Sequence, residues 1–170
     1  GDIIAVDIGA ILDGWHGDSA WTYPVGTVSA EAAALLADTE AALYAGIDQA
    51  RAGNRLGAIG HAIEAFVIER GQGRYGTVRE YGGHGIGRSM HEDPHVSNFG
   101  DPNRGVRLRP GMVIAIEPMV NLGGDDVKVL GDECTVVTKD GGLSAHFEHT
   151  VAITEGDPLI LTERLAAVVH

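Results

Sequence analysis

Five residues of the types that bind metal ions stand in the segments of this chain with the clearest structural signals. They are Asp7, Asp18, His84, Glu117 and Glu148. A set rich in carboxylate oxygen, with one imidazole nitrogen and no thiolate, suits Mn²⁺, Fe²⁺ or Co²⁺, and Zn²⁺ is also compatible. Two such ions about 3.5–4 Å apart bind a bridging water, lower its pKa and stabilise the oxyanion formed at a carbonyl. If the five side chains converge, they therefore predict metal-dependent hydrolysis.

The first two acids are brought together by a β-hairpin that we expect over residues 2–26. Asp13-Gly14 between two apolar runs is a strong hairpin signal, because both loop residues must accept a positive φ. Counting outward from this loop pairs Gly9 with Asp18, so that Asp7 and Asp18 share a face with Cβ atoms about 5–8 Å apart. Two carboxylates that close repel each other unless a cation lies between them. For an arbitrary pair of strand aspartates, a solvated surface is the commoner interpretation.

A glycine-rich stretch, EYGGHGIGRSMHEDPHV, surrounds the histidine of the set. Its glycines clear the backbone around His84 and allow close approaches that a side chain would block, which favours a functional role. A phosphate-binding loop is the competing interpretation, but the stretch lacks the following Lys-Ser/Thr and the GxGxxG spacing. The glycines and Pro94 also argue against a helix that would place His84 and His91 on one face.

The last two acids lie on predicted strands. An apolar strand from Met112 to Ile116 ends at Glu117-Pro118, and burial of an ionised carboxylate there requires a raised pKa or a cation. Glu148 lies within one long predicted strand, Leu143 to Thr154, and shares a face with His146. Such a polar face usually contacts solvent, yet Glu148 is the only acid in the run.

The remaining elements complete an α+β pattern. We expect Ser29 to cap a helix that runs to about Arg51, and Asn54 to cap a second helix that ends at Gly71. An irregular loop is expected over residues 97–110. Further strands are predicted at 126–130, 134–138 and 159–161, before a terminal segment, 162–170, that begins a helix or frays.

Composition limits the classes of protein. The chain has 170 residues with 44% hydrophobic content, enough for one core, and a net charge of −12 that argues against nucleic acid and anionic membranes as partners. It contains no apolar run of membrane-spanning length and no signal-peptide pattern, and the single Cys134 fits a reducing compartment. Gly1 opens directly onto a strand pattern, so we expect the chain to begin inside a fold.

The motifs closely resemble the type I methionine aminopeptidases, which have the pita-bread metallopeptidase fold. The resemblance runs from VDIGAILDGWHGDSAWTYPVG through EYGGHGIGRSMHEDPHV and PGMVIAIEPMV to TVVTKDGGLSAHFEHT. It implies an antiparallel sheet covered by helices, incomplete at its N-terminus, with residues 1–170 forming one metallopeptidase catalytic domain. It further implies a cytoplasmic monomer, near the ribosome, that removes the N-terminal methionine from nascent proteins and peptides.

The same resemblance implies roles for individual residues. The five candidate residues match the ligands of two divalent ions (Co, Mn, Fe or Zn), with Asp18 and Glu148 as the bridging carboxylates. Glu117 would also act as the proton shuttle for the attacking water. His91 matches a histidine that hydrogen-bonds the scissile peptide group.

Three departures from the family pattern concern the substrate pocket. Met90 and Cys134 stand where related enzymes commonly carry aromatic residues, so we expect them to wall the pocket for the methionine side chain. The family's N-terminal half of the sheet, with a further substrate-contacting histidine, is not expected in this chain. A nucleophilic Cys134 is not expected either, because no base is recognisably paired with it. Two alternatives stay open, namely a prolidase-like or aminopeptidase P-like exopeptidase and a non-catalytic pita-bread interaction module.

Overall fold

The computed structural model describes residues 1–164, and within them the chain forms two helices and twelve strands. The helices are α1 (Ala30–Ile47) and α2 (Gly57–Gly71). The strands, in chain order, are β1 (Ile3–Leu12), β2 (Trp15–Pro24), β3 (Tyr75–Thr77), β4 (Gly83–Gly85), β5 (Glu92–Val96), β6 (Val113–Ile116), β7 (Met119–Leu122), β8 (Val127–Val129), β9 (Val136–Thr138), β10 (Ser144–His146), β11 (His149–Ala152) and β12 (Leu159–Ile160).

All strand pairs are antiparallel, and they form four sheets. The largest sheet has the order β12-β11-β6-β4-β5, and a second has the order β10-β7-β3. The hairpins β1-β2 and β8-β9 make the other two. The two helices pack on one another and bury an apolar core against these sheets, in which Trp21 contacts Phe147 edge to face at 4.8 Å between ring centroids. The α+β class expected from the sequence is confirmed.

The N-terminal hairpin has the predicted register. Gly9 lies opposite Asp18 and Asp7 opposite Ala20, and both loop residues, Asp13 and Gly14, have positive φ, at 52° and 77°. The local signal is sufficient here because a two-residue loop with positive φ at both positions fixes the register of both strands. On the opposite face of β1 the apolar side chains are solvent-accessible, with Ile4 52% exposed and Ile8 61% exposed.

The long strand predicted over Leu143 to Thr154 is wrong in one respect, because it is interrupted at Phe147-Glu148. β10 and β11 belong to different sheets, and their partners β7 and β6 are interrupted in the same way at Glu117-Pro118. Proline has no N–H to donate to a ladder, and the two sheets diverge at this point. The interruption places two acids, Glu117 and Glu148, at the junction of the two sheets.

The helix boundaries differ in part from the prediction. Ser29 caps α1 as expected, its hydroxyl accepting from the Ala32 N–H at 3.1 Å, but α1 ends at Ile47 rather than near Arg51. Asn54 does not cap α2; its side-chain amide donates to the Gln49 carbonyl at 2.9 Å, so it closes the turn between the helices. The N-cap position of α2 is Leu56, without a side-chain hydrogen bond.

The other predicted elements agree with the structure. Residues 97–110 contain no helix or strand, and β8, β9 and β12 lie within the ranges predicted for them. Of the terminal segment, residues 162–164 form no regular element, and 165–170 lie outside the described residues. Neither α1 nor α2 combines the length and the apolar character that crossing a membrane requires.

Candidate metal centre

Strand β2 is held along β10 and β11 by alternate residues. The Thr22 hydroxyl donates to the His146 carbonyl at 2.7 Å and accepts from its N–H at 2.9 Å. The Glu148 N–H donates to the Ala20 carbonyl at 2.8 Å. These contacts bring one face of the hairpin against the sheet junction, and they position Asp18 beside Glu148.

Three predicted ligands form one buried cluster. Asp18, His84 and Glu148 each offer a ligand atom, and these atoms all lie within 4.8 Å of one another. They come from β2, β4 and the segment between β10 and β11, so that only the tertiary fold assembles them. Two carboxylates and an imidazole at this separation form a pocket suited to a divalent cation.

The tautomer of His84 fits a cation at this position. Its Nδ1 lies 2.9 Å from the Gly85 carbonyl oxygen, which can only accept, so Nδ1 carries the hydrogen. In the neutral ring, Nε2 then presents its lone pair to Asp18 Oδ2 at 3.8 Å and to Glu117 Oε1 at 3.5 Å. Lone pairs and negative oxygens that face one another need a positive charge between them.

Glu148 carries the strongest electrostatic signal in the cluster. Its side chain is 1% exposed, and Oε1 has no hydrogen-bond partner among the described residues. Desolvation, followed by the negative charges of Glu117, Asp18 and Asp7, raises the pKa of Glu148 to about 9. A carboxylate in this environment is ionised at neutral pH only if a cation compensates it, which the donor set of the cluster allows.

Asp7 lies at the open side of the cluster. It is exposed, and it lies near enough to Asp18, Glu117 and His146 for their charges to affect its pKa. Partial burial raises the pKa of Asp7; His146 opposes this effect, while Asp18 and Glu117 add to it. The structure thus places Asp7 next to the buried three residues, as the hairpin register predicted.

Glu117 joins the cluster from the strand junction opposite Glu148. Its backbone is fixed by Asn98, whose buried side-chain amide donates to the Glu117 carbonyl at 3.0 Å. Its carboxylate lies between two imidazoles, because Oε1 faces His84 Nε2 and Oε2 faces His146 Nε2, each at 3.5 Å. All five residues singled out in the sequence therefore lie in one region of the molecule.

Sequence reasoning did not select His146 as a site residue. The signal was present, because His146 precedes Glu148 by two positions and alternate residues of a strand share a face. What could not be read locally is that this face turns toward Glu117 instead of solvent.

An open cavity of about 890 Å³ adjoins the cluster. Asp7, Glu117 and His146 line the side of the cavity next to the cluster, and Tyr81 and Met119 contribute to its walls. Val78, Ser144 and residues of the β8–β9 hairpin and the following turn complete the lining; the hairpin and turn residues are Val127, Lys128, Val136, Val137, Thr138, Lys139, Asp140, Gly141 and Gly142. The cavity combines apolar walls with carboxylates at one side, which suits a ligand with an apolar part and a cationic group.

The three residues expected to contact substrate take different positions. The exposed His91 ring packs edge to face on His84, with 4.5 Å between ring centroids, so it lies beside the cluster. Met90 is half-buried and covers Gly9, where a Cβ would collide with the methionine methyl group. Cys134 is exposed at the tip of the β8–β9 hairpin, where its N–H donates to Asp132 Oδ1 at 3.1 Å, and it is not one of the residues that line the cavity.

The glycines around His84 serve close packing of strands instead of a phosphate. A Cβ at Gly83 would collide with the Ala115 carbonyl of β6, and one at Gly85 with the Asp93 carbonyl of β5. β4 lies between these two strands, so glycine is required by both neighbours. This packing explains the motif and leaves the phosphate-loop interpretation without structural support.

Comparison with protein families gives one match over most of the chain. The model of metallopeptidase family M24 matches residues 1–155. Methionine aminopeptidase 1 of Bacillus subtilis is 56% identical over 162 residues, which cover 95% of this chain and 64% of that protein. Methionine aminopeptidase 1 of Mycobacterium tuberculosis is 51% identical over 165 residues, covering 95% of this chain and 62% of its own length. The chain thus spans less than two thirds of the length of these relatives.

Solved structures give the same result. The crystal structure of methionine aminopeptidase from Thermotoga maritima superimposes with a TM-score of 0.93 at 45% identity, over 96% of this chain and 65% of that one. Prolidase from Pyrococcus furiosus superimposes with a TM-score of 0.75 at 25% identity, over 98% of this chain and 42% of that one. Both the sequence and the structure are more similar to the methionine aminopeptidases than to the prolidase.

Proposed function

Because this chain belongs to metallopeptidase family M24, we propose that its cluster of carboxylates and imidazoles removes the N-terminal methionine from proteins and peptides. The chain has the pita-bread fold of that family, and membership implies binding of divalent metal. The observation that supports the proposal most directly is the buried cluster of Asp18, His84 and Glu148, in which a carboxylate oxygen without a hydrogen-bond partner is ionised at neutral pH only beside a cation. The identity of 45–56% to several methionine aminopeptidases supports the choice of substrate.

We assign two divalent ions, Co, Mn, Fe or Zn, to five ligands. Asp18 and Glu148 would be the carboxylates shared by both ions, and Asp7, His84 and Glu117 would complete the set. Four carboxylates carry enough negative charge for two dications, and the absence of a thiolate among them favours Mn²⁺, Fe²⁺ or Co²⁺ over a purely structural zinc.

In the proposed reaction, the chain's own residues orient the peptide and move the proton. Bound ions supply a water of lowered pKa and positive charge for the developing oxyanion. Glu117, on the cavity side of the cluster, accepts the proton of the attacking water and passes it to the leaving amine. His91, beside His84, donates a hydrogen bond to the scissile peptide group.

The adjoining cavity is the proposed site for the methionine side chain and the peptide that follows it. Its apolar lining from Val78, Met119, Val127 and Val136 suits an unbranched thioether, and the nearby acid Asp7 suits the α-ammonium group. We retain Met90 and Cys134 as substrate contacts. Met90 packs on Gly9 in the strand that carries Asp7, whereas Cys134 requires the β8–β9 hairpin tip to approach the peptide.

Nascent chains carry the substrate, so we place the activity in the cytoplasm, in a monomer that works close to the ribosome. The net charge of −12 of this chain disfavours direct binding to ribosomal RNA, and this favours an encounter with the peptide itself.

The proposal is tested by calorimetric titration with Mn²⁺ and Co²⁺, followed by hydrolysis of Met-Ala-Ser and Ala-Pro peptides by the loaded chain. We expect two binding events and release of free methionine from Met-Ala-Ser. Release of alanine from the Ala-Pro peptide alone would instead identify a prolidase-like or aminopeptidase P-like enzyme. Failure to bind either ion would contradict the enzyme and favour an interaction module.

A further inference from the structure

His146 is a further group that faces the cluster. We propose that it is a positioning residue, which donates a hydrogen bond from Nε2 to Glu117 Oε2 and so fixes the orientation of that carboxylate. The inference rests on the proposed function, in which Glu117 is both a metal ligand and the group that moves the proton.

The first observation is the unpaired nitrogen. His146 Nε2 is buried and has no hydrogen-bond partner among the described residues, while Glu117 Oε2 lies 3.5 Å away. A buried ring nitrogen without a partner is unfavourable, and the separation of 3.5 Å exceeds the usual hydrogen-bond distance by only a few tenths of an ångström. The available acceptor for an Nε2 hydrogen is thus the outer oxygen of Glu117.

The second observation is that the backbones of both residues are fixed. The His146 carbonyl and N–H both bond to the Thr22 hydroxyl, at 2.7 and 2.9 Å. His146 lies opposite Met119 in the β10–β7 pair, two residues from Glu117, whose own carbonyl accepts from Asn98. The imidazole is therefore presented to the carboxylate from a rigid strand, as a positioning group requires.

The third observation separates positioning from metal ligation. The two oxygens of Glu117 face different rings, with Oε1 toward His84 in the cluster and Oε2 toward His146 on the cavity side. The buried cluster of Asp18, His84 and Glu148 contains neither His146 nor Glu117, and among these groups His146 Nε2 approaches the second oxygen of Glu117, Oε2, and not Oε1, the oxygen nearest His84. His146 thus occupies the outer side of Glu117, where it leaves Oε1 directed at the cluster.

The test compares His146→Leu, which removes the donor at similar volume, with His146→Gln, whose amide can donate in its place. His61→Leu, exposed on α2, is the matched control. Loss of an outer partner typically weakens metal binding or activity about 10–100-fold. We expect His146→Leu to weaken the second Mn²⁺ binding event about 10-fold and to lower kcat on Met-Ala-Ser about 10-fold with KM nearly unchanged. His146→Gln should recover most of both losses.

Two further measurements exclude a merely structural role. In a Glu117→Gln background, His146→Leu should have no additional effect on Mn²⁺ affinity, because the acceptor charge is already absent. The visible absorption of the Co²⁺-loaded chain should keep its intensity in His146→Leu, whereas removal of a ligand would change the coordination geometry. If the leucine variant does not fold, His146→Ala removes the same donor.

The inference is overturned if His146→Leu binds Mn²⁺ like the unmodified chain, if glutamine is as defective as leucine, or if the Co²⁺ spectrum shows the loss of a ligand. These results differ from failure of the proposed function. An unmodified chain that binds no metal overturns both the proposed function and this inference. If the unmodified chain binds metal normally but releases no methionine, only the proposed function fails, and the metal affinities of the His146 variants still test this inference.

Discussion

The Thr150 hydroxyl bonds to both backbone groups of Asp18, donating to its carbonyl at 2.8 Å and accepting from its N–H at 3.0 Å. Both residues are buried. The side chain of Thr150 in β11 thus satisfies the backbone N–H and carbonyl of Asp18, which have no backbone partner in the neighbouring strand at this point. Glu148 precedes Thr150 by two positions, so the contact also fixes the position of Asp18 relative to Glu148. The position of a proposed bridging ligand therefore depends on a neutral hydroxyl group.

Replacing Thr150 by valine should lower the free energy of unfolding by about 1–3 kcal/mol, because it leaves two buried backbone groups of Asp18 unpaired at unchanged volume. Chemical denaturation of the metal-free protein measures the change. Thr150→Ser keeps the hydroxyl and serves as the control, with a much smaller loss. Equal stability of the valine variant and the unmodified chain would show that the contact is energetically neutral.

Stability of the metal-free protein should fall as pH rises. The folded-state pKa of Glu148, about 9, lies above the unfolded value of 4.5, so the folded state holds a proton that the unfolded state loses between these values. A difference of about 1 kcal/mol shifts the melting temperature of a domain of this size by about 2–4 °C. Thermal unfolding at pH 5 and pH 8.5, in the presence of a chelator, should show the decrease.

Glu148→Gln tests the origin of that pH dependence, since its neutral amide has no proton to lose. We expect a flatter pH profile for this variant. Addition of Mn²⁺ should reverse the trend in the unmodified chain, because metal competes with the proton for Glu148 and binds more tightly at higher pH. A profile that is identical in the two proteins would assign the effect to other groups.

Asp18→Asn should weaken Mn²⁺ binding by more than the roughly 10–100-fold that loss of an outer partner costs. The reason is that the amide keeps the size of the side chain but removes one of the negative charges of the cluster that Asp18 forms with His84 and Glu148. Calorimetry on the two proteins measures the ratio. Asp132→Asn, in the exposed turn before Cys134, is the control and should bind Mn²⁺ normally. Retained affinity in Asp18→Asn would exclude Asp18 as a ligand.

Gly85→Ala should destabilise the fold by about 1–3 kcal/mol, the usual cost of forcing extra volume into a packed site. A Cβ at this position collides with the Asp93 carbonyl of β5, and backbone cannot yield as a flexible side chain does. Because Gly85 follows His84, metal affinity should fall as well. Gly131→Ala, where a Cβ meets open space, is the control, and similar melting temperatures for both variants would contradict the packing argument.

Local signals predicted much of the fold. The Asp13-Gly14 loop fixed the hairpin register, and Ser29 fixed the start of α1, because each acts through atoms within a few residues. The exchange of partners at Glu117-Pro118 and Phe147-Glu148 was not predicted, since it depends on where two sheets diverge. Asn54 was misassigned for a similar reason, because its side chain contacts Gln49 instead of the helix that follows it.

The amino-acid sequence by itself determined which groups could do chemistry, namely four acids and a histidine without a thiolate, and which neighbours on a strand share a face. Only the tertiary structure decided that Glu117 lies opposite Glu148, that Thr150 holds Asp18, and that His146 faces a carboxylate rather than water. The physical reason is that periodicity specifies the direction of a side chain relative to its own strand. What that side chain meets is set by contacts between segments distant in the sequence, such as the contact between Asp18 and Thr150, which are 132 positions apart.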